Sequence, residues 1–177
     1  MSTPQTAPVT SVLGVAGVTN APASSEALGG GTGEAGARVF VVLLPVLDLL
    51  NANQGLHWRT RSKRTKTIRN AAALMARSMG VPPLQRAHIY GFYLPTDARR
   101  RDPANWAPSA KAAVDGLVDA GVLPDDDDKH LTGPDMRLGA LAPVVNGRRI
   151  GRLMLHITEL PSDADGEQLA VPLEATS

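Results

Sequence analysis

Asp102, Lys111 and the four consecutive aspartates at 125–128 are the residues of this chain best placed to do chemistry. Asp102 directly follows the basic triplet Arg99, Arg100 and Arg101, and Lys129 closes the aspartate run. Crowded carboxylates are costly unless water or a cation compensates them. Basic residues beside such a cluster suit a polyanion brought to a divalent metal ion. Together these residues outline the chemistry of a metal-dependent nuclease.

Each part also has an ordinary structural explanation. Asp102-Pro103 is a common surface-turn pair. Lys111, Asp115 and Asp119 stand at i, i+4 and i+8, a spacing that gives solvated helix pairing worth about 0.3 kcal/mol. A solvated acidic turn accounts for at least two of the four aspartates. The run Asp125-Asp126-Asp127-Asp128-Lys129 also matches a protease site used in expression tags. It lies between two predicted elements of one domain, where that match is coincidental. It does not fit an EF-hand loop, which alternates oxygen ligands and needs glycine at its sixth position. His57, His88, His130 and His156 lack metal-ligand spacing. There is no Walker-type phosphate loop, hence no nucleotide cofactor, and no nucleophilic serine motif. The absence of cysteine excludes thiolate sites and disulfides.

The net charge of +1 conceals a strong segregation. Residues 57–101 hold eleven Lys and Arg against Asp97 alone, whereas residues 102–130 hold seven Asp against Lys111 and Lys129. The basic block favours a nucleic-acid partner. Arg59, Arg61, Lys63, Arg64, Lys66 and Arg69 are its phosphate-binding candidates, joined by Arg99, Arg100 and Arg101. The acidic block is too short and too interrupted by apolar residues to be a disordered tail.

The elements that must position these residues follow from periodicity. Residues 1–37 are low-complexity, with 26 of 37 positions Ser, Thr, Ala, Gly or Pro and no aromatic residue. Such a leader cannot offset its own ordering entropy and is expected to be disordered. Residues 39–44 read as a buried strand, and Asn51, Asn53, Gln54 and Gly55 mark a loop. A helix is predicted from about Ser62 to Met79, with Ile68, Ala71, Ala72, Met75 and Met79 on its apolar face. Gly80 and the pair Pro82-Pro83 end it. Residues 86–94 form a second, inner strand, apolar on both faces. A loop over 96–107 leads to a helix opened by Pro108 and stopped by Gly121. A Gly/Pro-rich connection follows, then a strand over 150–160, and residues 161–177 are a polar, acidic tail. The result is one α+β domain over residues 38–160. The longest apolar run, 39–47, is too short to span a bilayer, and no secretory signal is apparent. A soluble, cytoplasmic protein without a membrane partner is expected.

At 99–126 the chain resembles the RusA family of Holliday-junction endonucleases. That family shows a basic run, D-x-D-N, a lysine on a nearby helix and a DD pair after it. Arg99-Arg100-Arg101-Asp102-Pro103-Ala104-Asn105 stands for the first part, Lys111 opens a similar helix, and Asp125-Asp126 falls at the pair. Asn51, Asn53 and the following arginines are similar to a loop after the family's first strand. Ala104 replaces the second aspartate, and Lys111 lies three positions further from Asn105 than usual. The resemblance covers residues 38–160 and implies a mixed sheet packed by two main helices. It implies Mg²⁺, or Mn²⁺, held by Asp102 and Asp126 with Asp125 or Asp127 assisting. Asp127 or Asp128 could replace the missing oxygen, and Asp115 is the less favoured substitute. Lys111 would stabilise the transition state, Asn105 would orient the loop, and a homodimer of bacterial or phage origin would resolve a four-way DNA junction in recombination or repair. The competing expectations are a junction-binding protein that has lost catalysis through Ala104, and a DNA-binding module whose aspartates hold a structural metal.

Overall fold

The computed structural model describes residues 37–161. The expectations of a leader and an acidic tail therefore fall almost entirely outside the described residues. In chain order the elements are β1 (Val39–Leu43), α1 (Trp58–Ser78), β2 (Ala87–Leu94), a 3-10 turn (Pro103–Trp106), α2 (Ala107–Asp119), β3 (Leu131–Leu138), β4 (Val144–Val145), β5 (Arg148–Arg149) and β6 (Arg152–Glu159). Four strands form one mixed sheet in the order β1-β6-β2-β3. β6 is antiparallel to both of its neighbours, and β2 and β3 run parallel. The two-residue strands β4 and β5 form a separate hairpin.

Strand alternation divides the sheet into two faces. Val42 and Leu44, Ala87 and Ile89, and Leu153, Leu155 and Ile157 are all buried and belong to one core cluster. Ile68, Ala72 and Ala76 of α1 and Ala110, Ala113, Val114 and Leu117 of α2 join that cluster. The two helices therefore cover a single face. Many of their contact residues are alanine, which lets the helices and sheet approach closely. At Gly116 the approach is closest: a Cβ there would lie 2.2 Å from the Arg69 carbonyl oxygen.

Several boundaries differ from expectation. α1 begins at Trp58, one turn earlier than apolar periodicity indicates, because the His57 ring accepts a hydrogen bond from the Arg59 amide at 3.3 Å and caps it. The whole basic run thus lies on a helix. β1 is an edge strand rather than a buried one, and Val39 is 51% exposed. β3, β4 and β5 occupy what reads as a connection. As expected, the helices stop at Gly80 and Gly121, whose φ values of 64° and 76° satisfy the left-handed stop.

Ser109 is the buried polar residue that locks the loop before α1 onto α2. Its hydroxyl accepts from the Leu50 amide at 2.7 Å and donates to the Leu50 carbonyl at 2.9 Å. Two residues on, the Ala52 amide donates to the Asn105 carbonyl at 2.7 Å. Replacing Ser109 by Ala leaves two buried backbone groups unpaired. The expected loss is about 2 kcal/mol, read as a lowered urea midpoint at constant slope.

Candidate active site and nucleic-acid interface

Lys111 sits in the second turn of α2, on its exposed side. One turn later Asp115 lies on the same side, and its Oδ1 accepts from Lys111 Nζ at 3.2 Å. The chain leaves α2 at Asp119 and turns back, so that the Asp126 carboxylate also contacts Lys111 Nζ. A lysine ammonium is thus held between two carboxylates from a helix and from the loop that follows it. All three side chains stay partly accessible, with relative exposures of 57% for Lys111, 27% for Asp115 and 31% for Asp126.

The other aspartates of the run do different work. Asp125 Oδ1 accepts from the Asp126 amide at 2.7 Å, which fixes the backbone that presents Asp126. Asp127 Oδ1 accepts from the amides of Lys129 and His130 at 3.2 and 3.1 Å and closes the turn into β3. Asp127 therefore serves as a turn residue in the manner expected of aspartate. Asp128 is exposed.

Asp102 makes no hydrogen bond or ion pair with Lys111 or Asp126. Its carboxylate caps the 3-10 turn, accepting from the Ala104 amide at 3.0 Å. Arg101 folds back on the loop before it, bonding the Asp97 carboxylate at 2.6 Å and the carbonyls of Asp97 and Arg99. Arg99 and Arg100 remain exposed. Asn105 positions its surroundings through its backbone carbonyl, the acceptor for Ala52.

The donor set bears on the implied metal. Among the described residues, no three Asp, Glu or His side chains share a position suited to a metal ion. Two carboxylates do converge, from Asp115 and Asp126, and they already hold a cation. Mg²⁺ characteristically takes one or two carboxylates and completes its shell with water and substrate phosphate. The pair Asp115 and Asp126 fits that manner of binding. Asp115, ranked below Asp127 and Asp128 from sequence, is the second acid at the lysine, and its i+4 spacing from Lys111 was the available signal.

The basic residues divide by partner. Arg69 is held by a two-pronged bond to Asp119 of α2, with Nη2 to Oδ1 at 2.6 Å. Arg77 donates to the Asp119 carbonyl. Both arginines therefore tie α1 to α2. Arg64 faces Asp48 at 3.3 Å and Gln54 at 3.4 Å. Among the described residues Arg59, Arg61, Lys63 and Lys66 form no ion pair, and all four are exposed. They crowd the N-terminal half of α1, whose first turn carries no acid. The helix macrodipole is positive at that end, so cations there are unfavourable until an anion joins them. A groove of 580 Å³ runs beside this helix, lined by Arg59, Lys63 and Arg64 together with Val46, Leu47 and Asp48. Trp58 opens the helix 67% exposed, with the Arg59 guanidinium 5.1 Å from its ring centre. An aromatic ring inside a basic run is a stacking signal for nucleic acid that charge counting passes over.

Ion pairs also set the acid sensitivity of the fold. Arg69 holds the Asp119 carboxyl below the usual carboxylate range, chiefly by hydrogen bonding. The Arg99 amide and the Arg101 guanidinium do the same for Asp97, and Arg38 for Glu159. Each group is depressed in the folded state. Its stabilisation is therefore present above the unfolded carboxylate pKa and is lost as pH falls through the folded value. Thermal melts from neutral pH downward are expected to drop below about pH 4, and Arg69→Ala flattens part of that drop.

No family model matches the chain, and no curated protein is significantly similar to it.

Proposed function

We propose that this chain is a metal-dependent, structure-selective DNA endonuclease that resolves four-way junctions. One observation carries the reading: Lys111 is held between Asp115 and Asp126 on the helix that packs against the basic helix α1. Asp115 and Asp126, which hold the Lys111 ammonium, are the residues that would hold a hard divalent ion. Mg²⁺ bound there would supply Lewis-acid activation of water and charge stabilisation at a phosphoryl group. Lys111 neutralises charge on the scissile phosphate. Asp115 and Asp126 fix the lysine before substrate arrives, and Asp125 and Asp127 hold the loop that carries Asp126. Arg59, Arg61, Lys63 and Lys66 grip backbone phosphates, with Arg99 and Arg100 as further contacts. Two strands of a junction call for two sites, so the reading includes a two-fold homodimer.

Nicking of a labelled four-way junction, with Mg²⁺ and with EDTA, tests the reading. Paired symmetric nicks that require Mg²⁺ are expected, and retarded mobility without nicks at any Mg²⁺ concentration would overturn it. For the phosphate contacts, Lys66→Ala is expected to weaken binding uniformly across sequences. It should also reduce the slope of log affinity against log salt by about 1. Fluorescence anisotropy at several salt concentrations measures both.

A second reading, junction binding without cleavage, is favoured by the environment of Asp102. One oxygen of its carboxylate accepts from the Ala104 amide, and Ala104 itself offers no oxygen ligand from its side chain. In that reading the Lys111 pair is an electrostatic brace for the loop.

A further inference from the structure

The groove beside α1 does not end on the helix. Leu47, Asp48 and Arg64 line it and also line an adjoining cavity of 330 Å³. Part of the cavity wall is aromatic. Tyr93, only 8% exposed at the end of β2, stacks on Trp106 with ring centres 3.7 Å apart and planes at 12°. Gly151, just before β6, lies against the Tyr93 ring, and a Cβ there would come within 2.6 Å of the Tyr93 hydroxyl oxygen. The loop before α1 adds two side-chain amides, Asn51 and Gln54. Asn51 Oδ1 accepts from the Asn53 amide at 2.9 Å and Gln54 Oε1 from Arg64 Nη1 at 3.4 Å, which leaves the nitrogen of each side-chain amide as a donor. That loop is pinned: Leu50 is held by Ser109, and the Ala52 amide by the carbonyl of Asn105, the residue before Trp106. The aromatic and polar walls are therefore fixed relative to each other before a ligand arrives.

We propose that this cavity takes a single unpaired nucleobase from the nucleic-acid strand whose phosphates α1 holds. It rests on the nucleic-acid reading of α1 and adds to it a site for a base. The volume lies at the lower end of small-ligand pockets, which suits a group of that size. An extruded base stacks against side-chain rings and bonds through the donors and acceptors along its edge. Tyr93 and Trp106 supply the rings, Asn51 and Gln54 the donors, and Asp48 an acceptor. An apolar ligand would leave those polar groups unpaired. Arg64 belongs to both groove and cavity, so it is placed to meet the phosphate of the nucleotide whose base enters. A strand is favoured over a free nucleotide because Arg59 and Lys63 continue the row of cations along the groove. A branch point supplies such a base, since a base that has lost its pairing or stacking costs least to extrude.

Fluorescence anisotropy of the full chain in EDTA tests it, with a labelled duplex carrying one bulged nucleotide and the same duplex with an abasic residue at the bulge. The bulged base is expected to bind about 10-fold more tightly than the abasic control, the scale of one base–aromatic contact. Trp106→Ala is expected to erase that difference and Trp106→Phe to keep it, with the abasic duplex bound equally by all three proteins. Gln54→Ala, at an exposed loop position, is expected to narrow the difference at least about 2-fold and covers the case in which Trp106→Ala does not fold. Equal affinity of the parent protein for the two probes overturns the proposal. So does a difference unchanged by Gln54→Ala and by any folded Trp106→Ala. Free deoxynucleoside monophosphates in excess are expected not to displace the bulged probe. Displacement that Trp106→Ala abolishes would assign the cavity to a free nucleotide and overturn the strand-borne base. The two readings fail separately: a protein that never nicks but prefers the bulged base keeps this site, and one that nicks without the preference loses it alone. A chain that binds neither probe overturns both.

Discussion

Asp126→Asn is expected to lower the Mg²⁺-dependent nicking rate on a four-way junction by about 10²–10³-fold, the scale set by removing one preorganised charged group from an active site. The substitution keeps the shape of the side chain and removes its charge. Lys111 then keeps Asp115 at 3.2 Å and loses its second carboxylate. Junction affinity, which the proposal assigns to α1, should change little, which separates a catalytic defect from a binding defect. Asp102→Asn sharpens the result. Asparagine caps a helical turn about as well as aspartate, so the bond to the Ala104 amide survives and the fold is kept. A matching loss of nicking in Asp102→Asn would bring Asp102 into the catalytic set. Unchanged nicking would leave it as the cap that the structure shows. If Asp126→Asn nicks as well as the parent protein, the assignment of the Lys111 site fails.

Gly116→Ala is expected to destabilise the fold by about 2 kcal/mol, although alanine is the better helix former. Two opposing effects decide the sign. Alanine in place of glycine inside a helix gains about 1 kcal/mol. The added Cβ, however, would lie 2.2 Å from the Arg69 carbonyl oxygen and 2.9 Å from the Ala72 Cβ. The first contact is with backbone, which has no rotamer by which to move aside, so α1 and α2 must separate. Overpacking of this kind costs about 3 kcal/mol, and it wins. A lower urea midpoint at unchanged slope is the expected result, and a midpoint above that of the parent protein would overturn the contact. Moving the helices apart also strains the Arg69–Asp119 bond and the Arg77 bond to the Asp119 carbonyl.

The core was largely legible in the sequence. Ile68, Ala72 and Met75 on α1, the two-sided β2, and the alternation of Leu153, Leu155 and Ile157 on β6 all follow from periods of 3.6 and 2. β3 was missed because Gly133-Pro134 reads as a turn, whereas an edge strand tolerates a proline at an irregularity. The ladder register shifts there, between His88 and Tyr90. The β4–β5 hairpin carried a readable signal, Asn146-Gly147 between Val144-Val145 and Arg148-Arg149. Its positive φ values of 50° and 75° suit a tight hairpin turn. The start of α1 was hidden because its first turn, from Trp58 to Arg61, has no apolar period. A side-chain cap decides that boundary.

The candidate site divides in the same way. Sequence alone determined the residue types, the segregation of basic from acidic blocks, and the i, i+4 relation of Lys111 to Asp115, because these depend only on chain order and helix pitch. Tertiary structure decided the partners. The loop after α2 must turn back before Asp126 can reach Lys111, and the packing of α1 on α2 brings Arg69 to Asp119. The loop at 97–101 closes on Arg101, and Asp102 Oδ1 caps the next turn. Among like-charged neighbours in sequence, long-range geometry selects which carboxylate meets the lysine, and a one-dimensional pattern holds no record of it.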